Sequence, residues 1–81
     1  MALSLYQAVS RRLVELLEAR NMTQYQLALK TGLPRSTIAN VVNCMYPSTK
    51  LYIIHELCQG LEIGIDTFFA SPLFQEDNLE P

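Results

Sequence analysis

The stretch Met22–Asn43, MTQYQLALKTGLPRSTIANVVN, decides the fold. Thr23 stands three residues before Gln26, the spacing at which each side chain can bond the other's backbone N–H at a helix start. Met22 and Leu27 flank that start as a hydrophobic staple. The helix QYQLALKT then stops at Gly32, which takes the left-handed conformation at little steric cost. Its inward residues are Leu27 and Ala28, with Tyr25 as a further candidate. Pro34 suits the first position of a following helix, which runs to about Asn43 or Cys44. Only Gly32 and Leu33 separate the two helices, so they must turn sharply against each other, a helix–turn–helix with glycine in the turn. At roughly 100° per residue, Ile38, Val41 and Val42 share one face of the second helix. Ser36, Asn40 and Asn43 share the opposite one, with Arg35 at the tip.

Upstream, SLYQAVSRRLVELLEA repeats the start signal, with Ser4 three residues before Gln7. Leu5, Val9, Leu13, Leu16, Leu17 and Ala19 recur at helical spacing, which predicts a helix from about Ser4 to Arg20 closed at Asn21. Downstream, CMYPST reads as a loop. Ser48 or Thr49 is expected to cap a fourth helix, KLYIIHELCQ, with Leu51, Ile54, Leu57 and Cys58 inward and a stop at Gly60. Leu61 and Ile63 read as apolar linker residues, followed by a short fifth helix over about Ile65–Phe69. The segment SPLFQEDNLEP, with Pro72 and three acids, reads as a loosely ordered tail. No strand alternation appears. The expected class is therefore all-α: a compact bundle of about five short helices over residues 1–70 and an acidic tail over 71–81.

A chain of 81 residues supports one hydrophobic core. No apolar run approaches the roughly 20 residues of a membrane span, and MALSLYQAVSRR lacks a signal core. Cytoplasmic, nucleoid-associated localisation is the expectation. Cys44 and Cys58 are too few for a disulfide scaffold and read as reduced packing residues. The net charge is −2, but it is unevenly placed. Residues 1–50 hold all six Lys and Arg and two Glu, a net +4; residues 51–81 hold six acids and neither Lys nor Arg, a net −6. One end can face a polyanion while the other stays acidic.

Two segments, MTQYQLALKTGLPRSTIANVV and LCQGLEIGIDTFF, together resemble the lambda-repressor-like, Cro/C1-type (XRE) helix-turn-helix DNA-binding family. The resemblance covers roughly Leu13–Phe69. It implies that the third helix is a recognition helix, with Arg35, Ser36 and Thr37 at its tip and Asn40 one turn on as base-reading residues. It implies that Gln24, at the start of the second helix, contacts a phosphate and braces the recognition helix. Asn43 and the loop to Lys50 fall where relatives touch the backbone, and Lys30 is a further candidate phosphate contact, as are Arg11 and Arg12. Cys44 stands where relatives often have glycine, and Pro47 is displaced from its usual place before the fourth helix. Leu17 and Val42 replace an arginine–glutamate pair common in the family. Losing both charges together is sensible, because one left alone would be a buried unpaired charge.

The residue types suit that chemistry without the resemblance. Arg can bond guanine O6 and N7 together, Asn the corresponding atoms of adenine, and a small residue such as Ala39 allows close approach. His55 and Cys58 are spaced as metal ligands can be, but two ligands do not close a zinc site. With one histidine and no nucleophile–base or phosphate-loop pattern, neither an enzyme nor a cofactor is expected. The leading expectation is a small transcriptional repressor binding a near-palindromic site in double-stranded DNA as a homodimer, with Phe69, Leu73 and Phe74 as candidate dimer contacts. The alternatives are the antitoxin of a toxin–antitoxin pair, its acidic segment holding a basic toxin, and an interaction module that has lost DNA binding.

Overall fold

The computed structural model describes residues 2–81. Five helices follow in order: α1 Leu5–Ala19, α2 Gln24–Thr31, α3 Arg35–Val42, α4 Leu51–Leu61 and α5 Ile65–Phe69. Both capping boxes form. The Gln7 N–H donates to Ser4 Oγ (3.3 Å) and the Ser4 N–H to Gln7 Oε1 (3.0 Å). At α2 the Gln26 N–H donates to Thr23 Oγ1 (3.1 Å) and the Thr23 N–H to Gln26 Oε1 (2.9 Å). Each pair satisfies two backbone donors that a helix start would otherwise leave open.

Three of the helices close in the same way. After α1, α3 and α4 the chain makes paired bonds of the Schellman type around a left-handed residue. Met22 N–H reaches Leu17 O (2.9 Å) around Asn21, Met45 N–H reaches Asn40 O (3.0 Å) around Cys44, and Ile63 N–H reaches Cys58 O (3.0 Å) around Glu62. Their φ values are +51°, +53° and +60°. Only α2 ends on glycine, Gly32 at φ +77°. Cys44 therefore occupies the backbone state for which glycine is better suited. We expect Cys44→Gly to raise the unfolding free energy by about 0.5–1 kcal/mol. Urea denaturation measures this, and a loss of stability would show that the side chain's contacts outweigh the strain.

Every helix contributes to one core. Leu13, Leu27, Ile38, Leu57, Leu61, Cys58 and Phe68 are fully buried. α1 packs against α3, α2 against both α3 and α4, and α4 against α5. Leu17 is buried, and Val42 packs at the margin of the same core. Burial pushes the Cys58 thiol above its ordinary value, because a thiolate is poorly solvated there.

Arg12 of α1 and Arg20, the residue that caps the C-terminus of α1, are used internally. Arg12 donates from Nε to Phe68 O (2.7 Å) and from Nη2 to Thr67 O (2.8 Å). Arg20 donates from Nε to Leu61 O (2.9 Å). Each guanidinium thus meets carbonyls at the C-terminal end of a helix, where positive charge is favoured. Two of the five Arg12 donors are thus engaged on α5, and Nη1 lies 3.6 Å from Glu15 Oε1, so the guanidinium expected at a phosphate is also a structural tie between α1 and α5.

Four expectations are corrected. Leu51 is 82% exposed, and Leu5 and Ala19 are also exposed, because α4 and α1 each start or end beyond the reach of the core. Neither Ser48 nor Thr49 caps α4; the helix starts after Lys50, with no side-chain cap. Gly60 does not stop α4, which passes through it and closes around Glu62, so that Leu61 is a helical core residue. The tail is ordered. Residues Pro72–Phe74 and Glu76–Asn78 form single 3₁₀ turns, the first packed on α1. Asn78 Nδ2 donates to Pro72 O (2.6 Å). Leu3 and Leu79 form a parallel bridge, with Leu3 N–H donating to Asn78 O (2.9 Å) and Glu80 N–H to Leu3 O (2.8 Å). Leu73 and Phe74 give this segment apolar surface to bury, which its acidic composition conceals.

Candidate nucleic-acid interface

The tip of α3 is set by the turn that precedes it. Thr31 Oγ1 donates to Leu27 O (2.9 Å) and accepts from the Leu33 N–H (3.1 Å), so one hydroxyl ties the end of α2 to the turn. Pro34 stands just ahead of α3 rather than in its first position, and with no side-chain donor or acceptor it leaves the helix start uncapped. The first backbone bond into α3 is from the Thr37 N–H to Pro34 O (3.0 Å). The N–H groups of Arg35 and Ser36 therefore have no acceptor within the helix. No acid lies in the first turn. Such an end favours an anion.

Below the tip, Ile38 and Val41 are buried and fasten α3 to α1 and α2. A buried hydroxyl adds a polar tie, with Ser10 Oγ donating to Val42 O (2.6 Å). Arg35, Ser36 and Asn43 are exposed, while Thr37 and Asn40 are half-buried. The expected polar stripe is thus the outer face of a helix whose inner face is anchored. Thr37 and Asn40 line an open cleft of about 360 Å³ with Tyr6, Tyr46, Thr49 and Lys50 among its other walls. The cleft joins a candidate base-reading residue to a candidate backbone-positioning one, Lys50, across the α3–α4 loop.

Gln24 is exposed as the first residue of α2. Its neighbour Tyr25 does not turn inward as the sequence suggested; it is half exposed, and the Arg35 guanidinium carbon lies 5.0 Å from the centroid of its ring. Sequence spacing could not reveal that pairing, because the two residues belong to different helices and meet only once the turn is made. Lys30 lies in the last turn of α2 and pairs with Glu62 at 3.6 Å, both side chains substantially exposed. An exposed pair of this kind is weak and screened by salt.

The remaining candidates fall in two groups. Phe69, Leu73 and Phe74 are half-buried. The rings of Phe69 and Phe74 meet edge to face with centroids 4.8 Å apart, and Phe68 lies 5.0 Å from Phe69. Much of the aromatic area proposed for a dimer is thus taken up within the chain. His55 is exposed while Cys58 is buried in the core, so the two do not converge.

Among the described residues no helix is long and apolar enough to cross a membrane. Residues 12–70 match the family described as the Cro/C1-type HTH DNA-binding domain. No curated protein matches the chain. Among solved structures, a mutant of the restriction-modification controller protein C.Esp1396I is similar, with a TM-score of 0.76 and 26% identity over 85% of this chain and 86% of that one. The anchored α3 with its exposed, uncapped tip and the extent of the family match agree, and the chain belongs to the Cro/C1-type helix-turn-helix DNA-binding domains.

Proposed function

We propose that the chain is a sequence-specific binder of duplex DNA that regulates transcription. It acts as a homodimer whose two α3 helices enter successive major grooves about 34 Å apart. The observation that carries this is the tip of α3, where Arg35 and Ser36 stand exposed beside unbonded backbone N–H groups while Ile38 and Val41 hold the opposite face in the core. Arg35 reads guanine, Asn40 reads adenine, and Ser36 and Thr37 adjust to neighbouring bases or phosphates. Gln24, Asn43 and Lys50 position the backbone; Lys30 joins them only by releasing Glu62. Binding across a promoter would exclude polymerase, making the protein a repressor. Its similarity to a controller protein of comparable length supports a regulatory role for this domain.

Selection from random duplexes at stated salt is expected to enrich two inverted half-sites centred roughly 10–10.5 base pairs apart. Arg35→Ala should then weaken the selected site by about five- to 150-fold and erase preference at one base pair in each half-site. No enriched motif would overturn DNA reading. A single unpaired half-site would overturn the dimer. An unchanged base preference in Arg35→Ala would remove the role assigned to Arg35.

A further inference from the structure

We propose that Tyr25 is a positioning residue for DNA recognition, holding the Arg35 guanidinium in its reading orientation before DNA arrives. This rests on Arg35 reading a base. The geometry is specific: Tyr25 is the second residue of α2, half exposed, and Arg35 Cζ lies 5.0 Å from its ring centroid. The ring is anchored from below, since α2 is fixed by its capping box and by buried Leu27 and Ala28.

Arg35 needs such a partner. It is the first residue of α3, where the helix dipole presents positive charge, and no acid occupies the first turn. Among the described residues it has no ion-pair partner, whereas Arg12 pairs with Glu15 and Lys30 with Glu62. An exposed arginine without a contact samples many rotamers, and binding must then order it. An aromatic face offers a cation the one attraction that leaves its hydrogen-bond donors unused. A guanidinium lying over a ring keeps its N–H donors at its own edge, free to meet O6 and N7 of guanine side by side. Tyr25 therefore restricts the arginine without competing with the base. A carboxylate in its place would occupy the same donors.

Two consequences distinguish this from a packing role. The ring matters and the hydroxyl does not, so Tyr25→Phe should behave as the parent protein. Tyr25→Leu should weaken the selected duplex by roughly two- to thirtyfold and flatten the preference for guanine, with affinity for an unrelated duplex unchanged. The Leu substitution should have no further effect once Arg35 is Ala, because both changes remove one interaction.

The experiment measures parent, Tyr25→Phe, Tyr25→Leu, Arg35→Ala and the Leu/Ala double variant on the selected duplex, its guanine-substituted derivative and an unrelated duplex. NMR of the free proteins supplies a reading independent of DNA. The Arg35 Hδ protons should be shifted upfield by the Tyr25 ring in the parent and in Tyr25→Phe, and return to ordinary values in Tyr25→Leu. Absence of that shift in the parent overturns the contact. Parent-like discrimination by Tyr25→Leu, a defect in Tyr25→Phe as large as that in Tyr25→Leu, or an undiminished Leu effect in the Arg35→Ala background overturns the positioning role while leaving Arg35 as the reader. Unchanged base preference in Arg35→Ala, or no selected site for the parent, overturns the reading on which the proposal rests and the proposal with it.

Discussion

Phe68→Ala is expected to lower the unfolding free energy by about 3–5 kcal/mol. Phe68 is 0% exposed and the largest fully buried side chain of the core. Its ring meets Phe69 edge to face at 5.0 Å and lies 6.3 Å from Phe74. Truncation loses the transfer energy of the ring and leaves a cavity, and the surroundings are poorly placed to collapse into it. The Phe68 carbonyl is fixed by Arg12 Nε at 2.7 Å, which ties the backbone of α5 to α1. Domains of this size have total stabilities of about 5–15 kcal/mol, so the variant would retain a thin margin. The melting temperature should fall by on the order of 20 °C. Thermal and urea unfolding followed by circular dichroism check this. A loss below about 1 kcal/mol would mean that α5 repacks freely and that the Arg12 tether does not constrain it.

Gly60→Ala is expected to destabilise the fold by about 1–3 kcal/mol, although glycine to alanine within a helix ordinarily stabilises. The reversal comes from α2. A Cβ at position 60 would stand 2.5 Å from Thr31 Cγ2 and 2.8 Å from Leu27 Cδ1. Leu27 is fully buried, so shifting its side chain displaces core neighbours. The Thr31 methyl can swing aside only if its hydroxyl swings too, and that hydroxyl bonds both Leu27 O and the Leu33 N–H. Relief of the clash therefore disturbs the turn between α2 and α3, and DNA affinity should fall with stability. Denaturant unfolding measures the first effect. A more stable Gly60→Ala protein would show that α2 and α4 can separate at no cost.

What the sequence revealed and what it hid divide by range. The capping boxes were legible because Ser4–Gln7 and Thr23–Gln26 are three residues apart, and everything such a motif needs lies within that span. The polar stripe of α3 was legible because helical rotation alone sorts Ser36 and Asn40 from Ile38 and Val41. The role of Gly60 was not, since a glycine admits two readings, a stop or a close approach, and only the neighbouring helix decides between them. Tyr25 failed for the same reason: its partner is brought to it by a turn that begins seven residues on, at Gly32. The internal bonds of Arg12 and Arg20 were hidden too. Their acceptors are ordinary backbone carbonyls, which no residue type advertises, 56 and 41 positions away.

The parallel bridge between Leu3 and Leu79 also has a mechanical meaning. Two segments running side by side in the same direction, when drawn apart by their outer ends, slide along one another. The bonds from Leu3 to Asn78 and from Glu80 to Leu3 then carry the load together instead of opening in turn. Tension on the chain ends is taken up at this clasp before it reaches α2 and α3.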